Sequence, residues 1–392
     1  MTVASVICEY NPFHSGHKHQ LDYIRQEIKA DYIVCIMSGD FVQRGEPAIF
    51  SKELRTKWAL ENGADAVFLL PAFFSTASAD LFAYGAVSLL NRLNCIDYLC
   101  FGSECGDIDM LKECARTLKE SGNISSPAIK ELMKNGNTFP KSRSLLFPEY
   151  VNILNNPNNV LAIEYINALD RIGSRIKPIT QKREGQGYDD DTTDLTSSYL
   201  SATAIRKAIL EGQTDSLSKY MPYKIPKNAS VLTSDAFSKE LYYALLSSKG
   251  NYEEYFEVNE GLAKRIENNL VNFKDYSSFA ELLKCKNYTH ARISRALIHI
   301  LLGIKKHNEE LYRMIDEADG IRLLGFKKTA GPLLKTISDC TALKIITKVP
   351  SIYDESSNAT KEILDKDLFV STLYDKASGV DTHEYSKKLV IV

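Results

Sequence analysis

Over the first 110 residues, short unbroken apolar runs alternate with longer stretches of helical spacing. Residues 3–8, 31–37, 66–70 and 97–101 are predicted strands, with Pro71 stopping the third and Gly102 ending the fourth. Between them, 17–29 carries Leu21, Ile24 and Ile28 at helical spacing, 51–62 follows the N-cap candidate Ser51, and 79–93 is a third predicted helix. Strands without polar alternation are covered on both faces. That predicts a parallel sheet with helices on either side, the doubly wound α/β class. Residues 120–157 are helical but less regular. A helix over 160–169 and a strand over 176–181 follow. The stretch 184–198, rich in Gly, Asp, Thr and Ser, is a predicted loop, and polar loops of that length are often functional. A helix over 203–210 precedes a polar, proline-punctuated segment at Pro222 and Pro226. We place a domain boundary there. The first domain, 1–222, holds the sheet. The second, 230–392, is mainly helical, with helices over 237–248, 252–272, 276–284, 289–304 and 307–317. The last seventy or so residues mix short strands and helices.

Composition narrows the class. Of 392 residues, 44% are hydrophobic and 25% charged, which suits a folded globular chain and excludes a disordered one. The net charge of -2 supplies no general attraction to polyanions, so any nucleic-acid surface must be local. Eight cysteines occur without a CxxC pair, several in apolar runs such as YIVCIM. Buried reduced thiols are expected, and no zinc site. The N-terminus lacks a basic leader, and no run reaches the ~18 apolar residues of a membrane helix. The expectation is a cytoplasmic protein with no membrane contact.

Four motifs fall at strand exits or helix starts. His14-Ser15-Gly16-His17 follows the first strand and opens a helix. Free backbone N–H groups there favour an anion, Gly16 lets a phosphate approach, and two imidazoles can stabilise charge on an α-phosphate. The preceding Glu9-Tyr10-Asn11-Pro12-Phe13 either lines that site or only shapes the turn. Ser38 to Pro47, after the second strand, carries Asp40 and Arg44. Arg44 either grips a carboxylate or phosphate or pairs with Glu46 on the surface. Gly102, leaving the fourth strand, permits a base or ribose to pack on the backbone. Ser201-Ala202-Thr203-Ala204-Ile205-Arg206 starts a helix whose hydroxyls, N–H groups and guanidinium suit β- and γ-phosphates. A fifth feature is electrostatic. No acid occurs between Glu281 and Glu309, while Lys284, Lys286, Arg292, Arg295, Lys305 and Lys306 do, with His290 and His299. With Ile293, Leu297, Ile300 and Ile304 as the buried stripe, Arg292, Arg295 and His299 share another face. Arg322, Lys327, Lys328 and Lys335 form a second such stretch. Both read as a phosphate-backbone surface, or as a solvated basic face. From the residues alone the chemistry is adenylyl or nucleotidyl transfer. An adenylyltransferase acting on a small cofactor precursor and a non-catalytic RNA-binding protein remain alternatives.

HxGH with a distant SxTxIR helix start resembles the nucleotidyltransferase superfamily with HIGH-like motifs. EYNPFHSGHKHQ, MSGDFVQRGEPAIFSK, FGSE, PNNVLAIEY, ITQKREGQGY and SATAIRKAI, in that order, resemble the tRNA(Met) cytidine acetate ligase family, and THARISRALIHILLGI and IRLLGF continue the likeness more faintly. Ser15 and Asp40 depart from the residues expected there. The resemblance implies an ATP-dependent, AMP-forming ligase that makes acetyl-adenylate and acetylates N4 of the wobble cytidine of elongator tRNA(Met). It implies ATP as cofactor, with Mg2+ expected, and acetate and that tRNA as partners. His14, His17 and Arg206 become the catalytic candidates. Ile7, Cys8, Glu9, Asn11, Pro12, Phe13, Gly16 and Gln20 join the two histidines as the ATP segment. Gly102, Asn158, Arg183, Ser201 and Thr203 are further ATP contacts. Arg292, Arg295, Lys305 and Lys306 become tRNA-binding candidates, and no protein metal site is implied.

Overall fold

The computed structural model describes residues 1–121, 126–183, 199–350, 352–381 and 384–392. The predicted loop 184–198 lies outside them. Five parallel strands form the centre of the sheet: β1 (Val3–Cys8), β2 (Tyr32–Ser38), β3 (Ala66–Leu70), β4 (Tyr98–Ser103) and β5 (Lys177–Lys182), in the order β3-β2-β1-β4-β5. Helices α1 (Ser15–Gln26), α2 (Lys52–Glu61), α3 (Ala79–Leu93) and α4 (Pro157–Ile172) connect them. β1 and β3 are buried along their whole length, as their unbroken apolar runs require. Ser51 caps α2 by accepting the Leu54 N–H at 3.4 Å, and α4 ends at Gly173 in the left-handed region, φ 67°. β1 lies between β2 and β4. The chain therefore winds outward in both directions from β1, and ligands of such sheets bind beyond the carboxyl ends of the strands at that point.

The boundary expected between 222 and 230 does not divide the packing. β6 (Gly320–Phe326), from the C-terminal half, joins the sheet antiparallel to β3. β7 (Lys344–Ile346) and β8 (Val390–Ile391) both pair parallel with β6. One apolar core runs from Val3 on β1 to Tyr374. The remainder of that half is helical, chiefly α6 (His290–Leu302) and α7 (Asn358–Ala377), with α5 (Ala202–Leu210) preceding it. The single helix expected over 252–272 is instead Glu260–Asn269 between two 3-10 turns. Its start is set by Asn259, whose side chain accepts the Leu262 N–H. All eight cysteines are free, but Cys285 and Cys340 are exposed rather than buried. Among the described residues no helix is long and apolar enough to cross a membrane.

Candidate active site

The exits of β1 and β4 and the start of α5 converge on one cleft of about 160 Å³. Ile7, Cys8, Glu9, Asn11, His14, His17, Gln20, Gly102, Asn158, Arg183, Ser201, Thr203 and Arg206 all line it. A second arm, lined by Gly16, His19, Gln181, Lys182 and Tyr199, meets the first at His14, His17, Gln20, Gly102 and Arg183. Two residues of the expected ATP segment stand behind the wall instead. Pro12 is buried. Phe13, fully buried, packs its ring 5.7 Å from that of His17 and 4.8 Å from that of Tyr10. They shape the turn because the apolar ring gains more from burial than from facing a polar cleft.

Backbone N–H groups of the turn hold each histidine in one tautomer. His14 caps α1, its Nδ1 accepting the Gly16 N–H at 3.1 Å. His17 Nδ1 accepts the His14 N–H at 3.2 Å. The rings stack with centroids 3.8 Å apart. Burial, then Arg183 and Arg206, push the His14 pKa down to about 3. Burial and His14 lower that of His17 as well. Both rings are therefore neutral near pH 7. An Nδ1 that accepts leaves the single ring proton on Nε2, so each ring offers one N–H donor. The turn is fastened from outside: Ser15 N–H donates to the Tyr220 carbonyl at 2.7 Å, and the Tyr223 hydroxyl to the Phe13 carbonyl at 2.6 Å.

Arg206 sits on the first turns of α5, where Ser201 Oγ accepts the Ala204 N–H at 3.0 Å. Its guanidinium donates to the Asn11 carbonyl at 3.0 Å and lies 3.9 Å from Glu46. The cation the structure sets beside Glu46 is thus Arg206. Across the cleft, the Arg183 side chain lies over Gly102: a Cβ there would come within 3.1 Å of Arg183 Cγ. Asn158 donates to Glu104 Oε1 at 2.6 Å, while Asn159 Oδ1 accepts the Glu104 N–H at 2.8 Å. These reciprocal bonds tie the FGSE and PNN motifs into one wall.

Sequence reasoning passed over two residues that build the site. Arg55 on α2 is fully buried and donates to the carbonyls of Glu9 at 2.6 Å, Ser38 at 3.0 Å, Phe50 at 3.0 Å, and Gly39. It ties the exits of β1 and β2 together. Lys52 Nζ, 1% exposed, bonds Asp40 at 2.9 Å, Ser371 at 2.8 Å and Glu384 at 3.1 Å. Asp40 is therefore a structural anion, not a cleft ligand. The only signal was two cations one helical turn apart on a helix otherwise facing the core.

The basic stretches differ from the expected open stripe. His299 is fully buried and bridges the Phe256 and Thr76 carbonyls at 3.0 Å each. Arg295, 14% exposed, pairs with Glu257 at 2.8 Å. Arg322 is likewise engaged by Glu384. Lys305 and Lys306 reach Glu254 at 2.7 Å and Glu362 at 3.1 Å, with Lys305 54% exposed. Arg292 lies over the Tyr288 ring. The correction follows from distance in sequence: the missing acids come from other segments of the chain.

Residues 1–388 match the family described as HIGH Nucleotidyl Transferase. A tRNA(Met) cytidine acetate ligase of Thermoanaerobacter sp. (strain X514) is 39% identical over 391 residues, covering 96% of each chain. Another of that name, from Acetivibrio thermocellus, is 34% identical and covers 100% of both. Among solved structures, Thermotoga maritima TmcAL bound with alpha-thio ATP superposes with a TM-score of 0.89 at 28% identity, covering 100% of both chains. With the switch-point cleft and its paired imidazoles, these likenesses place the chain in the HIGH nucleotidyltransferase family, among the tRNA(Met) cytidine acetate ligases.

Proposed function

We propose that the chain activates acetate with ATP and transfers the acetyl group to N4 of the wobble cytidine of elongator tRNA(Met). An acetate oxygen attacks the α-phosphorus, diphosphate leaves, and acetyl-adenylate forms. The cytidine amine then takes the acetyl group and AMP departs. The observation that carries the first step is the stacked pair of neutral imidazoles with Nδ1 occupied. Their Nε2–H groups suit the oxygens of an α-phosphate, where charge builds during in-line displacement. Arg206, with Ser201 and Thr203 at the α5 N-terminus, suits the β- and γ-phosphates. Gln20, Gly102 and Arg183, where the two arms meet, suit the nucleoside. Magnesium would arrive with the triphosphate, held by phosphate oxygens and water.

The tRNA would reach the cleft along the C-terminal half, with Arg292, Lys305 and Lys306 as phosphate contacts. Exposed ion pairs such as Lys305–Glu254 are weak enough to be exchanged for phosphate. We assign the protein to the cytoplasm with that substrate. The test is exchange of radiolabelled diphosphate into ATP. Acetate should be required and tRNA should not. No exchange with acetate would overturn the reading. Exchange supported instead by a phosphorylated cofactor precursor would favour an adenylyltransferase.

A further inference from the structure

The first arm of the cleft also carries side chains that suit no part of a triphosphate. Its lining includes Phe82, Phe101, Leu161 and Tyr165, and Val42, Gln43, Arg44 and Glu46 from the loop after β2. Phe101 and Tyr165 set their rings 5.5 Å apart. An apolar, aromatic lining suits a heteroaromatic base. Two carboxylates, Glu9 and Glu46, line the same arm, and neither charge suits a triphosphate. Glu46 has Arg206 3.9 Å away. Glu9 is different. Its Oε1 accepts the Gln43 N–H at 2.7 Å, and among the described residues Oε2 has no hydrogen-bond partner. The Glu9 carbonyl is gripped by Arg55 at 2.6 Å, so the residue is fixed from both ends.

We propose that Glu9 is a catalytic residue of the second half-reaction: Oε2 accepts a hydrogen bond from the exocyclic amine of the acceptor cytosine, then its proton. This rests on the acetate-ligase reading above. A carboxylate is the side chain that matches a cytosine N4 amine. The amine nitrogen forms a bond to the acetyl carbonyl carbon. The bond from that carbon to the phosphate oxygen breaks, and AMP leaves with the electron pair. The amine proton passes to Glu9 and from there to water. Burial raises the Glu9 carboxyl above the usual range, while the Gln43 N–H and then Arg44, Arg206 and Arg55 pull it back. A carboxylate raised in this way is a stronger base than an exposed glutamate.

The experiment uses wild-type enzyme, Glu9→Gln and Glu9→Asp, with acetate, ATP and tRNA. Exchange of diphosphate into ATP reports activation; single-turnover acetylation of tRNA from synthetic acetyl-adenylate reports transfer. In Glu9→Gln, transfer should fall at least ~10²-fold further than exchange does, whatever exchange itself loses. Glu9→Asp should recover part of the transfer. Wild-type transfer should rise with pH as Glu9 deprotonates, and the Gln variant should lose that limb. Transfer at the wild-type rate in Glu9→Gln overturns the proposal alone. Equal loss of exchange and transfer also overturns it, since Glu9 would then serve activation. Absence of acetate-dependent exchange in the wild type overturns the underlying reading, and this proposal with it.

Discussion

At the scale of single residues, the chemistry depends on where two protons sit. His14 and His17 spend their Nδ1 atoms on backbone N–H groups, so their donors point one way without a charge to desolvate. Such donors matter most where charge develops, so His17→Ala should lower kcat for acetate-dependent exchange by ~10²-fold or more, with ATP affinity within several-fold. Steady-state kinetics of exchange checks this, and near-normal turnover in both single alanine variants would remove the pair from catalysis. Keeping His14 neutral has a cost in acid. Its folded pKa of about 3 lies below the unfolded value of 6.5, so the unfolded chain binds the proton first. Stability from this site is thus complete above pH 6.5 and is lost as pH falls towards 3. By pH 5 the loss is about 2 kcal/mol. His14→Asn keeps a capping side chain. Urea unfolding at pH 7 and pH 5 should show a smaller acid loss in that variant; an identical loss would mean that His14 is already protonated in the folded state. The HxGH pair was legible because its spacing, strand and helix are local. The neutral state was not, because it comes first from burial in the folded chain and then from Arg183 and Arg206 far along the sequence.

At the scale of elements, the cleft exists because strand exits are held at fixed separations. β1 and β2 are in register from Val3–Tyr32 to Cys8–Met37, so their exits leave side by side. Arg55 then bonds carbonyls of both exits. The strands themselves were readable from sequence: Ala66–Leu70 and the helix Ala79–Leu93 fall where their apolar patterns end. β6 was not readable, since its partner β3 lies some 250 residues away and pairing at that separation leaves no local period. Lys52 and Arg55 were missed for a related reason. Polar residues in a first helical turn look solvated until the acids that meet them arrive from elsewhere. Lys52 neutralises Asp40 and Glu384 in a region closed to water. Lys52→Met would leave Asp40 without its cation, while Glu384 keeps Arg322 and Lys387, and removing one partner of a buried pair costs about 3–5 kcal/mol. Thermal unfolding of that variant should show a drop in Tm of many degrees. A loss no larger than that of an exposed lysine would mean that water reaches the network.

At the scale of the molecule, the helical half is not an appendage. Gly45 adopts φ 76°, and a Cβ there would stand 2.3 Å from the Arg295 backbone nitrogen on α6. The loop carrying Gln43 and Arg44 into the cleft is thus seated on the C-terminal half, where Tyr276 donates to the Ser294 carbonyl at 3.0 Å. The proline-punctuated segment near residue 222 was read as a boundary because composition changes there, but composition does not record which faces meet. This arrangement divides the basic residues into two kinds. Arg292, Lys305 and Lys306 sit at the surface or partly so, and their acidic or aromatic neighbours are exchangeable. Arg295 holds Glu257 in a place where both side chains are nearly closed to water, directly behind the loop. Replacing Arg292, Lys305 and Lys306 together by Gln should weaken tRNA binding and flatten its salt dependence by roughly one unit of slope per lost phosphate contact. The melting temperature and acetate-dependent exchange should be retained, since neither uses those side chains. Arg295→Gln should behave in the opposite way. It strands the Glu257 charge, so stability should fall by about 3 kcal/mol or more, and exchange should fall with it as the loop loosens. Binding isotherms at two salt concentrations, with melting curves for both variants, separate the cases. An unchanged salt slope in the triple variant would move the tRNA surface elsewhere on the protein. A triple variant that loses exchange along with tRNA binding would show that these cations, too, support the loop.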